Sequence, residues 1–162
     1  MPGSSGPERR PALLAVWAAH RAPRGLGHDR DGVVAPGHTP EIADALAALI
    51  LTGRKRATAS LDRDYGPGKP PRPAPGDHVL AVDGAGNPVC IWPTTAVEVG
   101  PFGGVTDEFA WIEGEGDRSH ETWLANHRAL FGWQAARAGF VLTEDEPLVF
   151  EGFRVVWPVP VA

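Results

Sequence analysis

Residues 39–60 read TPEIADALAALILTGRKRATAS, an apolar helical pattern followed by a short basic turn. Thr39 is a suitable N-cap, and Pro40 suits the first helical position. Apolar residues recur at helical spacing and predict one buried face, which comprises Ile42, Leu46, Leu49 and Ile50. Gly53 suits the position just past a helix end. The stretch therefore predicts a helix over residues 39–52.

Strands and loops occupy most of the chain around this helix. Residues 21–38 and 63–77 are predicted loops, and the second contains five prolines and three glycines. Proline interrupts one apolar run, so a break is expected at Pro93. The predicted strands cover residues 58–61, 78–82, 88–92, 94–99 and 148–157.

Three further helices are predicted from apolar periodicity and capping residues. The first covers residues 12–20, and the second covers 105–112, with Phe109 and Ile112 facing inward. Ser119 is a suitable N-cap for the last helix. Its buried face is predicted to comprise Trp123, His127, Leu130 and Phe131. This order of elements indicates an α+β fold with a mostly antiparallel sheet.

Length and composition place the chain among ordinary globular domains. It has 162 residues, 43% of them hydrophobic, and a formal net charge of −5. Cys90 is the one cysteine, so no disulfide or cysteine zinc site can form within the chain. The negative charge argues against sequence-independent binding to duplex nucleic acid, which needs a broad basic face.

The turn from Gly53 to Thr58 is the first segment that could carry chemistry. Lys55 lies between Arg54 and Arg56, and their positive field should lower the pKa of its amine. A neutral amine could then accept a proton from the Thr58 hydroxyl. The alternative interpretation is a solvated basic turn that suits the negative end of a helix dipole.

The second segment is acidic and runs from Glu113 to Ser119, EGEGDRS. Neighbouring carboxylates raise one another's pKa, which suits acid–base chemistry, and they also suit divalent metals. The alternative interpretation is that Asp117 or Ser119 caps the following helix. A third candidate is the face of Trp123 and His127, which would either stack on a base or pack in the core.

Together these segments resemble the ASCH family over residues 36–157. Residues 53–60 are similar to its hallmark Gly-x-Lys-x-x-Thr segment, and residues 113–119 with Trp123, His127 and Phe131 resemble the acidic motif of its bacterial branch. Further similar segments are Pro75-Gly76-Asp77, residues 83–88, residues 97–102, Phe109-Ala110 and residues 151–156. Two positions depart from the pattern: Ser60 and Leu124 stand where the small enzymes and the bacterial branch, respectively, usually carry Arg.

The resemblance implies a PUA-like, mostly antiparallel β-barrel with flanking helices and a cleft for RNA or a modified nucleoside. Small members are amidohydrolases that remove the acyl group from N4-acetylcytidine with a Lys, Thr and Glu triad. It therefore implies catalytic roles for Lys55, Thr58 and Glu113, with Glu115 as the alternative acid. The implied substrate-binding residues are Arg54, Arg56, Ser60, Glu115, Asp117, Ser119, Trp123 and His127.

We therefore expect a hydrolase, such as an N4-acylcytidine amidohydrolase, that needs no metal or other cofactor. The alternatives are a single-strand ribonuclease, an activity reported for other members, and a non-catalytic RNA-binding module. The expected partner is RNA or a small modified nucleoside, with no membrane and no duplex DNA, in the cytoplasm. Residues 1–35 are expected to form a partly mobile extension with a short helix, and residues 36–162 the ASCH domain.

Overall fold

The computed structural model describes residues 10–21 and 32–158, so the expectations for residues 1–9 and 22–31 lie outside it. The helices are α1 (Arg10–Arg21), α2 (Pro40–Leu51), α3 (Asp107–Glu113) and α4 (His120–Ala138). The strands are β1 (Gly32–Val34), β2 (Ala57–Leu61), β3 (His78–Val82), β4 (Pro88–Pro101) and β5 (Pro147–Phe153). None of the helices in this described part has the length and hydropathy that a membrane-spanning helix needs.

The chain divides into two compact units, and β4 passes from one into the other. The first unit takes the described residues up to Gly53, then Gly76–Thr94 and the segment from Arg154. The second takes Arg54–Pro75 and Thr95–Phe153. All the candidate site residues from Arg54 to His127 lie in the second unit.

In the first unit, β3 lies between β1 and β4. It pairs in parallel with β1 and antiparallel with β4. Trp17 of α1 is buried with Leu80 and Ile91 in a small apolar cluster. The strand β1 was not predicted, because three exposed residues give too short a pattern to distinguish from a loop.

In the second unit, the order of strands is β4, β5, β2, and β2 pairs antiparallel with β5. Ala59 and Leu61 of β2 face the main core, which α3 and α4 complete. Its buried members are Leu61, Phe102, Val105, Ala110, Trp123, Phe131 and Leu148. This core holds the ends of β2, α3 and α4 together, and these elements carry the candidate site.

The helix predictions are largely confirmed. The N-cap of α2 is Thr39, whose hydroxyl accepts a hydrogen bond from the Ile42 N–H at 3.2 Å. Its buried residues are Ala43, Ala47 and Ile50, whereas Ile42, Leu46 and Leu49 of the predicted buried face are half-buried. The helix α3 begins two residues later than predicted, because Thr106 provides its N-cap. Its most buried residues are Ala110 and Glu113, whereas Phe109 and Ile112 are half-buried.

Three strand and loop boundaries differ from the prediction. The strand β4 continues through Pro93, because that proline pairs with the first residue of β3 and its missing N–H falls at the end of the ladder. The predicted loop over residues 63–77 begins within a short 3-10 turn, Asp62–Asp64. The strand β5 ends at Phe153, and only an isolated bridge at Trp157 continues the pattern toward residue 157.

Candidate active site

The basic turn before β2 is pressed against the C-terminal end of α3. Gly114 ends that helix with a φ of 74°, and a Cβ added to it would overlap the Arg54 carbonyl oxygen. The Arg56 N–H donates to the Ile112 carbonyl at 3.0 Å. The Arg54 guanidinium donates to the carbonyls of Gly114 and Gly116. These backbone contacts place Lys55 directly beside the last residue of α3.

Lys55 is buried, and its ammonium group lies between two carboxylates. Its Nζ is 3.4 Å from Glu113 Oε1 and 3.2 Å from Glu115 Oε2, and it donates to the Ala57 carbonyl at 2.7 Å. Only 3% of the Lys55 side chain is exposed. The nearest charges to this amine are therefore the two carboxylates, and the flanking arginines point their guanidinium groups at backbone carbonyls or solvent.

Glu113 is held by three side chains at once. Trp123 Nε1 donates to its Oε2 at 2.5 Å, and His127 Nε2 contacts its Oε1 at 2.9 Å, in addition to Lys55. Its side chain is 2% exposed. The indole and imidazole rings of Trp123 and His127 stack on each other at 3.8 Å between centroids, with an angle of 11° between the planes. Both rings therefore lie behind the carboxylate as its support.

The hydrogen bonds of His127 indicate that it is an imidazolium facing an ionised Glu113. Its Nδ1 lies 2.8 Å from the Trp123 carbonyl, which can only accept, so Nδ1 carries a proton. Burial lowers the pKa of His127, but the hydrogen bond and charge of Glu113 outweigh burial and raise it. Burial raises the pKa of Glu113, but the charge of Lys55 and the hydrogen bond of His127 hold it well below its ordinary value.

Glu115 differs from Glu113 in both its exposure and the direction of its pKa shift. Its side chain is 26% exposed, and its Oε2 accepts a hydrogen bond from Lys55 Nζ at 3.2 Å. Burial raises the pKa of Glu115, as do the hydrogen bond and the charge of Glu113, although the charge of Lys55 opposes the shift. Two carboxylates in the same motif thus have pKa values shifted in opposite directions, an arrangement typical of acid–base sites.

Thr58 and Ser60 lie on the face of β2 opposite to the core. Side chains alternate along a strand, and Ala59 and Leu61 face the core, so Thr58 and Ser60 face away from it. Within the described part of the chain, the hydrogen-bond partners of Lys55 Nζ do not include the Thr58 hydroxyl. Thr58 is opposite Glu151 on β5.

The other predicted substrate-binding residues have local structural partners. Asp117 Oδ1 accepts from the Ser119 N–H at 2.9 Å, and hydrogen bonds with Ser119 and Thr122 lower the pKa of Asp117. The Ser119 hydroxyl caps α4 by accepting from the Thr122 N–H at 3.1 Å. Arg56 is the exception, because it is an exposed residue with its side chain on the surface. Asp117 and Ser119 thus start α4, as the capping interpretation of this segment predicted.

Sequence reasoning missed four residues close to the site, namely Tyr65, Glu151, Trp111 and Arg118. The hydroxyl of Tyr65, the chain's one tyrosine, is 2.8 Å from that of Ser60. The position of a single tyrosine in a proline-rich loop could have identified it from the sequence. Glu151 is a buried carboxylate in an otherwise apolar strand, and this break in the strand pattern could have identified it. Trp111 and Arg118 stack on the protein surface, with the guanidinium carbon 4.0 Å from the ring centroid.

The site also contains a set of potential metal ligands. Glu113, Glu115 and His127 place one ligand atom each within 4.8 Å of one another. However, the Lys55 ammonium contacts both carboxylates, and the imidazolium of His127 contacts one of them. A divalent cation would meet two positive charges at short range, so these residues do not fit a metal in this arrangement.

Residues 32–157 match the family model of the ASCH domain. The chain belongs to the ASCH domain family. A solved ASCH domain from Lactobacillus crispatus JV V101 is 29% identical, with a TM-score of 0.79 over 92% of this chain and 94% of that one. Protein EF3133 from Enterococcus faecalis V583 is 27% identical, with a TM-score of 0.81 over 91% of this chain and 94% of that one. No curated protein matches the sequence.

These similarities confirm the predicted α+β, PUA-like fold, with mostly antiparallel strands and flanking helices. They also confirm the ASCH resemblance that rested on residues 53–60 and 113–119.

Proposed function

We propose that this ASCH domain hydrolyses an amide on a modified pyrimidine nucleobase, of the N4-acylcytidine type. The observation that carries the proposal is the buried Lys55 ammonium between two carboxyl groups whose pKa values are shifted in opposite directions. A buried ammonium is costly unless its charge is paired, and two carboxyl groups pair with Lys55. Clusters of buried ionisable groups with shifted pKa values are typical of catalytic sites, which favours a chemical role.

The proposed reaction begins with a proton transfer from the Lys55 ammonium to the Glu115 carboxylate. The neutral amine then accepts the proton of the Thr58 hydroxyl while the Thr58 oxygen forms a bond to the acyl carbon. When the C–N bond breaks, the leaving amine takes the proton held by Glu115. Lys55 then passes its proton to the Glu115 carboxylate again, and the neutral amine accepts a proton from the water that attacks the acyl-enzyme ester. As the ester C–O bond breaks, the Thr58 oxygen takes the proton held by Glu115, which releases the acid and restores the Thr58 hydroxyl, the Lys55 ammonium and the Glu115 carboxylate.

The two glutamates have different roles in this scheme. Glu113 is a positioning residue, because Trp123, His127 and Lys55 occupy its carboxylate and almost none of it is exposed. Glu115 is the acid–base residue, because it contacts Lys55 directly and remains partly open to solvent. This division follows from geometry first, and the raised pKa of Glu115 supports it.

The scheme requires the Lys55 amine to approach the Thr58 hydroxyl when substrate is bound. In the structure the amine donates to the carbonyl of Ala57, the residue immediately before Thr58. Catalytic hydrogen bonds are often long or misaligned without substrate and tighten in the complex. A change in the Lys55 side-chain torsions is the movement that the proposal needs.

The test is release of cytidine from N4-acetylcytidine, followed by chromatography. We expect turnover by the wild-type protein and a loss of at least about 100-fold in Thr58→Val, which removes the hydroxyl and keeps the shape. Ser60→Ala is the matched control, because Ser60 lies on the same strand face and pairs with Tyr65. Because Ser60 is a predicted substrate-binding residue and not the nucleophile, we expect Ser60→Ala to raise KM and to keep most of kcat.

The roles of the glutamates are tested with the same assay. Glu115→Gln should lower kcat and remove the pH dependence that Glu115 imposes, whereas the pH profile of a folded Glu113→Gln protein should keep its shape. Full turnover by Thr58→Val, or no turnover by the wild type, would contradict the proposed function. An unchanged pH profile in Glu115→Gln would contradict only the assignment of the acid.

A further inference from the structure

We propose that Tyr65 and Glu151 recognise the substrate base by its hydrogen-bonding edge, an exocyclic amide N–H beside an unprotonated ring nitrogen. Glu151 accepts the hydrogen of the exocyclic N4, and the Tyr65 hydroxyl donates to the ring nitrogen N3. Their role rests on the proposed function, because Thr58 fixes where the reacting amide lies. The proposed chemistry itself gives these two residues no part.

Glu151 lies directly opposite Thr58 on the neighbouring strand. The two residues are register partners in the antiparallel pairing of β2 and β5, so their side chains project from the same face of the sheet. Residues opposite each other in such a pair have Cβ atoms about 4.5–5.5 Å apart. This face is turned away from the main core, because Ala59 and its partner Phe150 pack against that core. A buried carboxylate is thus placed within one side-chain length of the proposed nucleophile.

Tyr65 brings a phenol hydroxyl to the same face of the sheet. Its oxygen lies 2.8 Å from the hydroxyl of Ser60, which is two residues along β2 from Thr58. Burial raises the pKa of Tyr65, the hydrogen bond with Ser60 opposes this shift, and the charge of Glu151 adds to it. The phenol therefore keeps its proton at neutral pH and lies close enough to the Glu151 carboxylate to be affected by its charge.

The loop that carries Tyr65 is fixed by ion pairs on both sides of this residue. Arg63 donates to both carboxylate oxygens of the buried Glu146, at 2.6 and 2.9 Å, and Arg72 donates to both oxygens of Asp62. The Tyr65 N–H donates to the Asp62 carbonyl at 3.1 Å. Paired contacts between a guanidinium and a carboxylate fix geometry as well as charge. The phenol is therefore held in position before a substrate binds, which lowers the entropic cost of binding.

An acceptor beside a donor matches the edge of an N4-acylcytosine. Its amide N4–H is a donor, and the neighbouring ring nitrogen N3 is an acceptor. The Glu151 carboxylate can only accept, whereas Tyr65 can donate to the base while the Ser60 hydroxyl donates to the phenol oxygen. Uracil has the reverse pattern, with an O4 acceptor beside an N3–H donor, so its O4 would face the carboxylate. An amide of an alkyl amine has no ring nitrogen to accept from Tyr65.

The experiment measures binding of cytidine, uridine and 3-deazacytidine by calorimetry, which requires no turnover. Cytidine is a product of the proposed reaction, uridine has the reversed edge, and 3-deazacytidine carries a C–H in place of the N3 acceptor. We expect the wild-type protein to bind cytidine at least about ten-fold more tightly than either of the others. A polar group left unpaired in a half-buried site costs roughly that factor in affinity.

Two shape-conserving variants test the two residues separately. Tyr65→Phe should bind cytidine and 3-deazacytidine about equally, because the ring is kept and the donor to N3 is lost. Glu151→Gln should lose most of the preference for cytidine over uridine, because an amide can donate to O4 as well as accept from N4–H. Glu144→Gln is the matched control, because Glu144 is an exposed carboxylate that pairs with Arg128. It should leave all three affinities unchanged.

The wild-type protein alone can overturn base recognition. Equal affinities for cytidine and uridine, or no binding of cytidine at millimolar concentrations, would do so even if one of the variants failed to fold. Thermal unfolding shows which variants are folded. A folded Tyr65→Phe protein that still distinguishes cytidine from 3-deazacytidine would remove Tyr65 from the proposal, and an undiminished cytidine preference in Glu151→Gln would remove Glu151.

The same measurements separate base recognition from the proposed hydrolysis. A protein that prefers cytidine but does not hydrolyse N4-acetylcytidine would contradict the proposed hydrolysis alone. Turnover of N4-acetylcytidine by a protein that binds cytidine and uridine equally would contradict base recognition by Tyr65 and Glu151 alone.

Discussion

Lys55, Glu113 and His127 form a chain of alternating charges inside the second unit. Glu113 lies between an ammonium and an imidazolium, and the Trp123 indole satisfies its remaining oxygen. Each of these charges would be costly if buried alone, and removal of one partner leaves the others uncompensated. The group therefore behaves as one unit whose stability depends on pH.

The raised pKa of His127 predicts a loss of stability on the alkaline side. A group with a raised pKa contributes stability that is complete below its unfolded value of about 6.5 and is lost as the pH rises through the folded value. We expect the unfolding free energy of the wild type to exceed that of His127→Gln by at least about 1 kcal/mol more at pH 6 than at pH 9. Urea unfolding at both pH values measures this difference.

The lowered pKa of Glu113 predicts a loss of stability on the acid side. Its lowered pKa contributes stability that is present above its unfolded value of about 4.3 and is lost as the pH falls toward the folded value. The other titrating groups are common to the wild type and the His127→Gln protein and largely cancel in the comparison. A difference that does not change between pH 6 and pH 9 would show that His127 is not an imidazolium in the folded protein.

At the scale of elements, the site depends on the close approach of α3 to the turn before β2. Gly114 ends α3 in the left-handed region, where glycine has no steric cost, and its missing Cβ leaves room for the Arg54 carbonyl. The same contact aligns Glu113 with Lys55. A side chain at position 114 would push the turn away from the helix.

Gly114→Ala and Gly139→Ala separate the two reasons for glycine at a helix end. Both positions have similar left-handed φ values, 74° and 79°, but a Cβ at Gly139 has nothing within 4 Å. Gly139→Ala should cost about 1–2 kcal/mol from backbone conformation alone. Gly114→Ala should cost clearly more and reduce activity as well, because the added methyl overlaps a backbone carbonyl. Equal unfolding free energies of the two variants in urea would show that the turn before β2 moves to accommodate the added methyl at no energetic cost.

At the scale of the whole molecule, the charge is acidic overall, with a local basic surface beside the site. A net charge of −5 repels the dense phosphates of a duplex. The positive charges of Arg54, Arg56 and Arg118 are too few to overcome this repulsion along a turn of duplex. We expect binding of a duplex DNA of about 20 base pairs at 150 mM salt to be weaker than about 100 µM. Anisotropy measures this directly, and micromolar affinity for the duplex would mean that a broader basic face exists.

Local patterns determined most of the elements and the family of this protein. The caps Thr39 and Ser119, the stop at Gly114 and the apolar spacing of α4 act within a few residues, so the sequence alone predicts them. The hallmark segment around Lys55 and the acidic segment around Glu113 also lie in short contiguous stretches. Patterns of this kind can be recognised in a sequence without knowledge of the tertiary structure.

Only the tertiary structure decided how the site residues divide their roles. The burial of Glu113 between Lys55 and His127 joins positions far apart in the chain, and the opposite pKa shifts of Glu113 and Glu115 follow from that burial. The alternation of β2 that turns Thr58 away from the core is fixed by its pairing with β5. Desolvation and charge pairing depend on distances in space, and no local pattern in a sequence contains them.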